Sequence, residues 1–196
     1  MTDYIGAIQD YNRAIEINPN DADAYFNRGI SKSKLADYKG ALKDYKKAVQ
    51  FNPKDAEAYT NRGIAKKGLR DFKGAIQDYN NAIKLNTYDI KAYINRGIAK
   101  DNLENYTGAI QDYNKAIEIN PNLSKVYLNR EVTKYKLTDY VGAIKDYNKV
   151  IALDPDDESV YFNRGLAKYK NGDINGACLD WNRAKAYDLI KQFCNK

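Results

Sequence analysis

Apolar residues return along this chain in short stripes spaced for helices, and the stripes themselves return every 34 residues. Tyr38, Ala41, Leu42, Tyr45, Ala48 and Val49 fall at i, i+3, i+4 and i+7 spacing. That spacing predicts an amphipathic helix over about Tyr38 to Phe51. Tyr25, Gly29 and Lys32 predict a partner helix over about Ala22 to Leu35. The same pair then recurs. Tyr25-Phe-Asn-Arg-Gly29 returns at Tyr59, Tyr93, Tyr127 and Tyr161, and Gly40-Ala-Leu-Lys-Asp-Tyr45 returns at Gly74, Gly108 and Gly142. An earlier copy, Gly6 to Tyr11, and a later one, Gly176 to Trp181, extend the series.

Punctuation supports the two-helix reading. Asp37, Asp71, Asn105, Asp139 and Asp173 precede the second helices, where a side-chain oxygen can accept from free backbone N–H groups. Asn18-Pro19, Asn52-Pro53, Asn120-Pro121 and Asp154-Pro155 end them, because the residue before proline disfavours helical backbone. Thr87 stands where the remaining repeat would have proline, so that turn is less sharply set.

Composition narrows the function classes. Hydrophobic residues make up 43% of the 196, enough for a core, and there is no histidine. The commonest general base and metal ligand is therefore missing. Cys178 and Cys194 lack a Cys-x-x-Cys spacing, so the expectation is two small apolar fillers, with no zinc site and no disulfide framework. A reducing, cytoplasmic location follows as the default. The net charge of +6 comes from interspersed signs rather than one basic patch. No apolar run approaches the ~20 residues of a membrane span, and the N-terminus has no signal-peptide pattern.

A 34-residue helix–turn–helix period carrying Tyr25, Gly29, Ala41, Tyr45, Ala48 and Pro53 resembles the tetratricopeptide repeat family, over essentially the whole chain. The resemblance implies an all-α fold, a right-handed superhelical solenoid of antiparallel helix hairpins. It divides the chain into a half repeat, 1–21, five repeats (22–55, 56–89, 90–123, 124–157 and 158–187) and a helical cap to residue 196. Most of the 18 tyrosines fall in three recurring columns, which read as core rings with hydroxyls reaching the rim.

Departures from the family pattern come next. Each repeat has arginine where the family commonly has leucine: Arg28, Arg62, Arg96, Arg130 and Arg164. Sixteen residues further on stand Asp44, Asp78, Asp112, Asp146 and Asp180. A half-buried cation needs a partner, so these columns predict an ion pair joining the two helices of each repeat. Such a pair contributes on the order of 1.5–3 kcal/mol when partly desolvated. Fully exposed, it would contribute under about 1 kcal/mol. Lys32, Lys66, Lys100, Lys134 and Lys168 form a further column, read as a solvated ridge with stems over apolar rings. One column breaks: Glu131 replaces the glycine of the other repeats, and is expected to splay its helix pair or point outward.

In this family the first helices line the concave face. The resemblance therefore puts Asn27, Asn61, Asn95, Asn129 and Asn163 toward a groove, where amides can pair with a peptide backbone. Beside them run Phe26, Thr60, Ile94, Leu128 and Phe162, and three residues after them Ile30, Ile64, Ile98, Val132 and Leu166. Exposed together, these columns would make an apolar trough with an amide ladder, an interaction surface. The alternative is burial between neighbouring first helices. Some relatives clamp a chaperone's C-terminal carboxylate with lysine and arginine. Lys91 matches one position, but Asn95 stands where arginine is needed, so that ligand is not expected.

At the two ends, Tyr4 to Ile17 is a second helix without its first, with Ile5, Ala7, Ile8, Tyr11 and Ile15 on its apolar face. A longer array, or a second molecule, would cover that face. Trp181, Ala184, Leu189, Ile190 and Phe193 suggest that the last second helix runs on to about Cys194 as a cap. The expected function is a scaffold that binds a protein or peptide, with no cofactor, no metal and no catalysis. Two rivals stand beside it: self-assembly through the N-terminal helix, and RNA binding by helical repeats.

Overall fold

The computed structural model describes residues 3–194, and among them twelve helices and no strand. The chain forms two compact units, 1–103 and 104–196. In the first, the order is α1 (Tyr4–Ile17), α2 (Ala22–Lys34), α3 (Tyr38–Phe51), α4 (Ala56–Gly68), α5 (Phe72–Leu85) and α6 (Ile90–Asn102), each from α2 on packed against the one before it. In the second, the order is α7 (Tyr106–Ile119), α8 (Ser124–Lys136), α9 (Tyr140–Leu153), α10 (Glu158–Lys170), α11 (Ile174–Arg183) and α12 (Tyr187–Phe193). There too each helix from α8 on packs against the one before it.

The repeated residues explain the repeated geometry. Asp37, Asp71, Asn105, Asp139 and Asp173 cap the second helices, each accepting from the backbone N–H of the glycine three residues on. The first helices carry caps of their own at Asp21, Asp55, Asp89 and Asp157. α8 is the exception, preceded by Leu123, which offers no acceptor. Within the α2–α3, α4–α5 and α10–α11 hairpins the ring of the second helix lies on the glycine of the first. A Cβ on Gly29 would sit 2.7 Å from Cε1 of Tyr45, and one on Gly63 2.6 Å from Cε1 of Tyr79. Tyr45, Tyr79 and Trp181 are consequently almost wholly buried.

The turns inside the hairpins need one left-handed residue. Gly172 supplies it at φ 86°, but Ala36, Arg70, Glu104 and Thr138 adopt φ near 60° without a glycine's freedom. Two expectations are corrected at the C-terminal end. α11 stops at Arg183, Lys185 turns left-handed at φ 55°, and α12 begins afresh at Tyr187. Phe193 stacks on Tyr169 at 4.7 Å and on Trp181 at 5.9 Å. Cys178 and Cys194 are joined by a disulfide, not separate fillers. Nothing in their 16-residue spacing signals a bond; the break after Arg183 folds one cysteine back on the other.

Candidate functional site

The arginine and aspartate columns meet inside each unit. Arg28 Nε and Nη2 donate to Asp44 at 2.9 and 2.6 Å, and Arg62 makes the same fork to Asp78. Arg130–Asp146 and Arg164–Asp180 repeat it in the second unit. The carboxylates are buried, and hydrogen bonding to Asp44 raises the Arg28 pKa above its ordinary value. Arg96 and Asp112 lie in different units: Arg96 donates to Asn80 within the first, and Asp112 is buried in α7.

These networks are larger than the sequence pairing suggests. Lys32, Lys66, Lys134 and Lys168 reach the same carboxylates at 2.7–2.9 Å, with side chains only 15–21% exposed. The reading of that column as a solvated ridge is corrected, because a doubly charged approach is what lets the carboxylate be buried. Each arginine also stands over its own tyrosine, as Arg62 does over Tyr59 at 5.2 Å. Arg28, Arg130 and Arg164 reach back to Asn12, Asn114 and Asn148 of the preceding second helix. That asparagine follows the core ring in the sequence, a signal of position without an obvious partner. Together these groups hold successive helices.

The expected groove residues separate. Phe26 and Ile30 pack on the Ala41–Tyr45–Ala65 cluster, and Ile64 packs on Ala75 and Tyr79. Leu128 joins the core of the second unit. Ile94 and Ile98 are half-buried, and Thr60 is buried with its hydroxyl on Asp89, 2.6 Å away. Asn27, Asn61 and Asn95 donate to the backbone carbonyls of Asp23, Glu57 and Lys91 one turn back, so one N–H of each amide is already engaged. Asn129 Nδ2 is buried without a partner. Thr60, Asn61 and Lys91 line one opening of about 390 Å³ with Tyr88 and Asp89. Val132 and Phe162 remain exposed, at 47% and 36%.

Val132, Asn163 and Leu166 come together in the second unit around a pocket of about 240 Å³, with Glu131, Tyr135, Lys136 and Tyr147 as its other walls. Here the outward-pointing alternative for Glu131 is corrected. The side chain neither points outward nor lies free: the residue is 3% exposed, and Tyr147 donates a hydrogen bond to its carboxyl. Its Oε2 has no partner. Burial pushes the Glu131 pKa up to about 7, opposed by the Tyr147 hydrogen bond and reinforced by Asp146. The broken glycine column was the sequence signal. Tyr147 read as an ordinary core ring of its column, and Tyr135, whose register counterparts include Ser33, Lys67 and Asp101, was not singled out. On the same unit Phe162 borders a second opening of about 480 Å³ with Lys185, Tyr187 and Leu189.

Repeated hairpins held by ion networks that recur in register, with apolar openings on their first helices, define an all-α helical repeat solenoid. The TPR repeat model matches residues 3–35, 34–69 and 133–172, and tetratricopeptide repeat models match 56–89 and 90–123. The chain belongs to the tetratricopeptide repeat family, whose members generally act as protein-interaction scaffolds. The C-terminal part of a repeat protein from Cytophaga hutchinsonii is 23% identical, with TM-score 0.83 over 97% of this chain and 75% of that one. YrrB, described as a TPR protein with an unusual peptide-binding site, is 21% identical at TM-score 0.77, over 89% and 90%. MamA from Desulfovibrio magneticus RS-1 is 18% identical at TM-score 0.78, over 85% and 94%. At these identities the likeness is one of fold. No curated protein matches the sequence. Among the described residues no helix is long and apolar enough to cross a membrane.

Proposed function

We propose that this chain is a non-catalytic scaffold that binds a peptide or a segment of a partner protein along its first helices. The observation that carries this reading is the exposure of Val132 on α8 and Phe162 on α10, each beside an open pocket. An isolated apolar side chain on a surface is unremarked; two beside concavities of this size make an anchor site for a partner's side chains. The Asn column contributes less than its periodicity suggests, since three of its donors close on their own helix. YrrB, a similar fold with a peptide-binding site, is consistent with this use of the scaffold.

Phage display of random peptides on the whole chain tests it. Enriched peptides should bind in fluorescence anisotropy, and Val132→Glu/Phe162→Glu should weaken them about tenfold or more while circular dichroism stays unchanged. No enrichment, or peptides that ignore the double substitution, would sink the reading. A second reading, self-association through α1, rests on a helix with no buried residue and Ile5 64% exposed. Sedimentation velocity of wild type against Ile5→Glu decides it: a mass independent of concentration removes it. As for compartment, the Cys178–Cys194 bond argues for an oxidising setting over the cytoplasm. Two titratable thiols in freshly isolated, denatured protein would restore the cytoplasm.

A further inference from the structure

The pocket beside Glu131 has a chemistry that its apolar walls alone do not explain. Val132, Tyr135, Tyr147 and Leu166 offer a lining for a hydrocarbon stem, and two of the four are rings that attract a cation. Beneath them lies the carboxyl of Glu131, a residue only 3% exposed, which accepts from the Tyr147 hydroxyl and whose Oε2 has no hydrogen bond. A buried acceptor left unpaired costs about 1–3 kcal/mol. The cation at the rim does not answer it: Lys136 Nζ stands over the Tyr106 ring, 5.4 Å from its centre. In the corresponding places Gly29, Gly63 and Gly165 sit against the ring and no acid is present.

We propose that this pocket receives a lysine side chain of the partner, its ammonium completing Glu131 and its methylene stem lying among Val132, Tyr135, Tyr147 and Leu166. The inference rests on the scaffold reading above and names what that scaffold selects. Size supports it, since about 240 Å³ is below the roughly 300–1,000 Å³ of pockets that hold whole small-molecule ligands. Charge excludes an acidic group, which would face a desolvated carboxylate. Geometry separates lysine from arginine. A guanidinium pairs best with two free carboxylate oxygens, whereas one free oxygen suits the point charge of an ammonium.

The test uses the whole chain and two small probes, Nα-acetyl-lysine amide and its uncharged counterpart Nα-acetyl-norleucine amide. Methyl resonances of Val132 and Leu166 report occupancy, at about pH 8, where Glu131 with its midpoint of about 7 is mainly ionised. The lysine probe should bind about tenfold or more tightly than the norleucine probe, and Glu131→Gln should erase that preference. Within the wild type, saturating lysine probe should lower the titration midpoint of the Glu131 carboxyl, read from its ¹³C shift, while norleucine probe should not. This second measurement stands if the variant folds poorly. Equal binding of both probes, binding of neither, an unmoved Glu131 midpoint, or a lysine preference that survives Glu131→Gln overturns the proposal. The scaffold reading fails separately: peptides captured without lysine selectivity retain it, while lysine-probe binding with no peptide captured sinks it alone.

Discussion

Glu131→Gln removes one titrating group from a place where its charge is costly, and the consequence is a change in how stability depends on pH. The residue is 3% exposed, and its carboxyl titrates at about 7 instead of 4.5, chiefly because burial disfavours the anion. A pKa unit corresponds to about 1.4 kcal/mol, so the whole shift amounts to about 3 kcal/mol. Between those two values the folded chain holds a proton that the unfolded chain has lost. The contribution is therefore fully present below about pH 4.5 and declines as pH rises through 7, above which it is gone. From pH 5 to pH 8 the wild type should lose about 2–3 kcal/mol through this residue. Trp181, the single tryptophan, is buried in the same unit, so its fluorescence follows the relevant unfolding in urea. Gln keeps the shape and removes the titration, so the variant should lose that much less between the two pH values. An identical pH dependence in both proteins would refute the assignment of the cost to Glu131.

Other perturbations read the rest of the architecture. Asp146→Ala leaves Arg130 and Lys134 facing each other over a vacated acid, and should cost about 3 kcal/mol in urea unfolding. Adding Arg130→Ala should cost less than the sum of the two changes; strict additivity would show that the pair is not coupled. Reducing the Cys178–Cys194 bond, or Cys194→Ser, should lower stability by about 3 kcal/mol for a 16-residue span, with no change expected if α12 contributes nothing to the fold. Thr138→Gly relieves a β-branched residue at φ 60° and should raise the thermal midpoint, gaining about 1 kcal/mol; a lowered midpoint would show the turn to be set by something else.

The sequence by itself determined the helices as far as α10, their hairpin pairing within each unit and the family. Local physics repeated at a fixed period leaves little freedom: an Asx cap, an amphipathic stripe and a proline turn fix each helix without reference to distant residues. α1, α3, α5, α7 and α9 accordingly run where the stripe and its cap place them, as Tyr38–Phe51 does. The Arg–Asp columns were legible for the same reason, since a half-buried cation implies an acid within reach. What the sequence could not assign is how a shared partner is divided. Lys32 and its equivalents look solvated until the tertiary structure brings them onto Asp44 and its equivalents, and Asn27 looks like a ligand contact until its amide closes on Asp23. Glu131 shows the limit most clearly. A long acid in place of glycine is expected to splay its helix pair or point outward, and only the packing of Tyr147 against α8 decides that it stays inside with one oxygen unsatisfied. The Cys178–Cys194 bond is likewise decided by a single left-handed turn at Lys185, a long-range consequence of backbone geometry that no 34-residue pattern encodes.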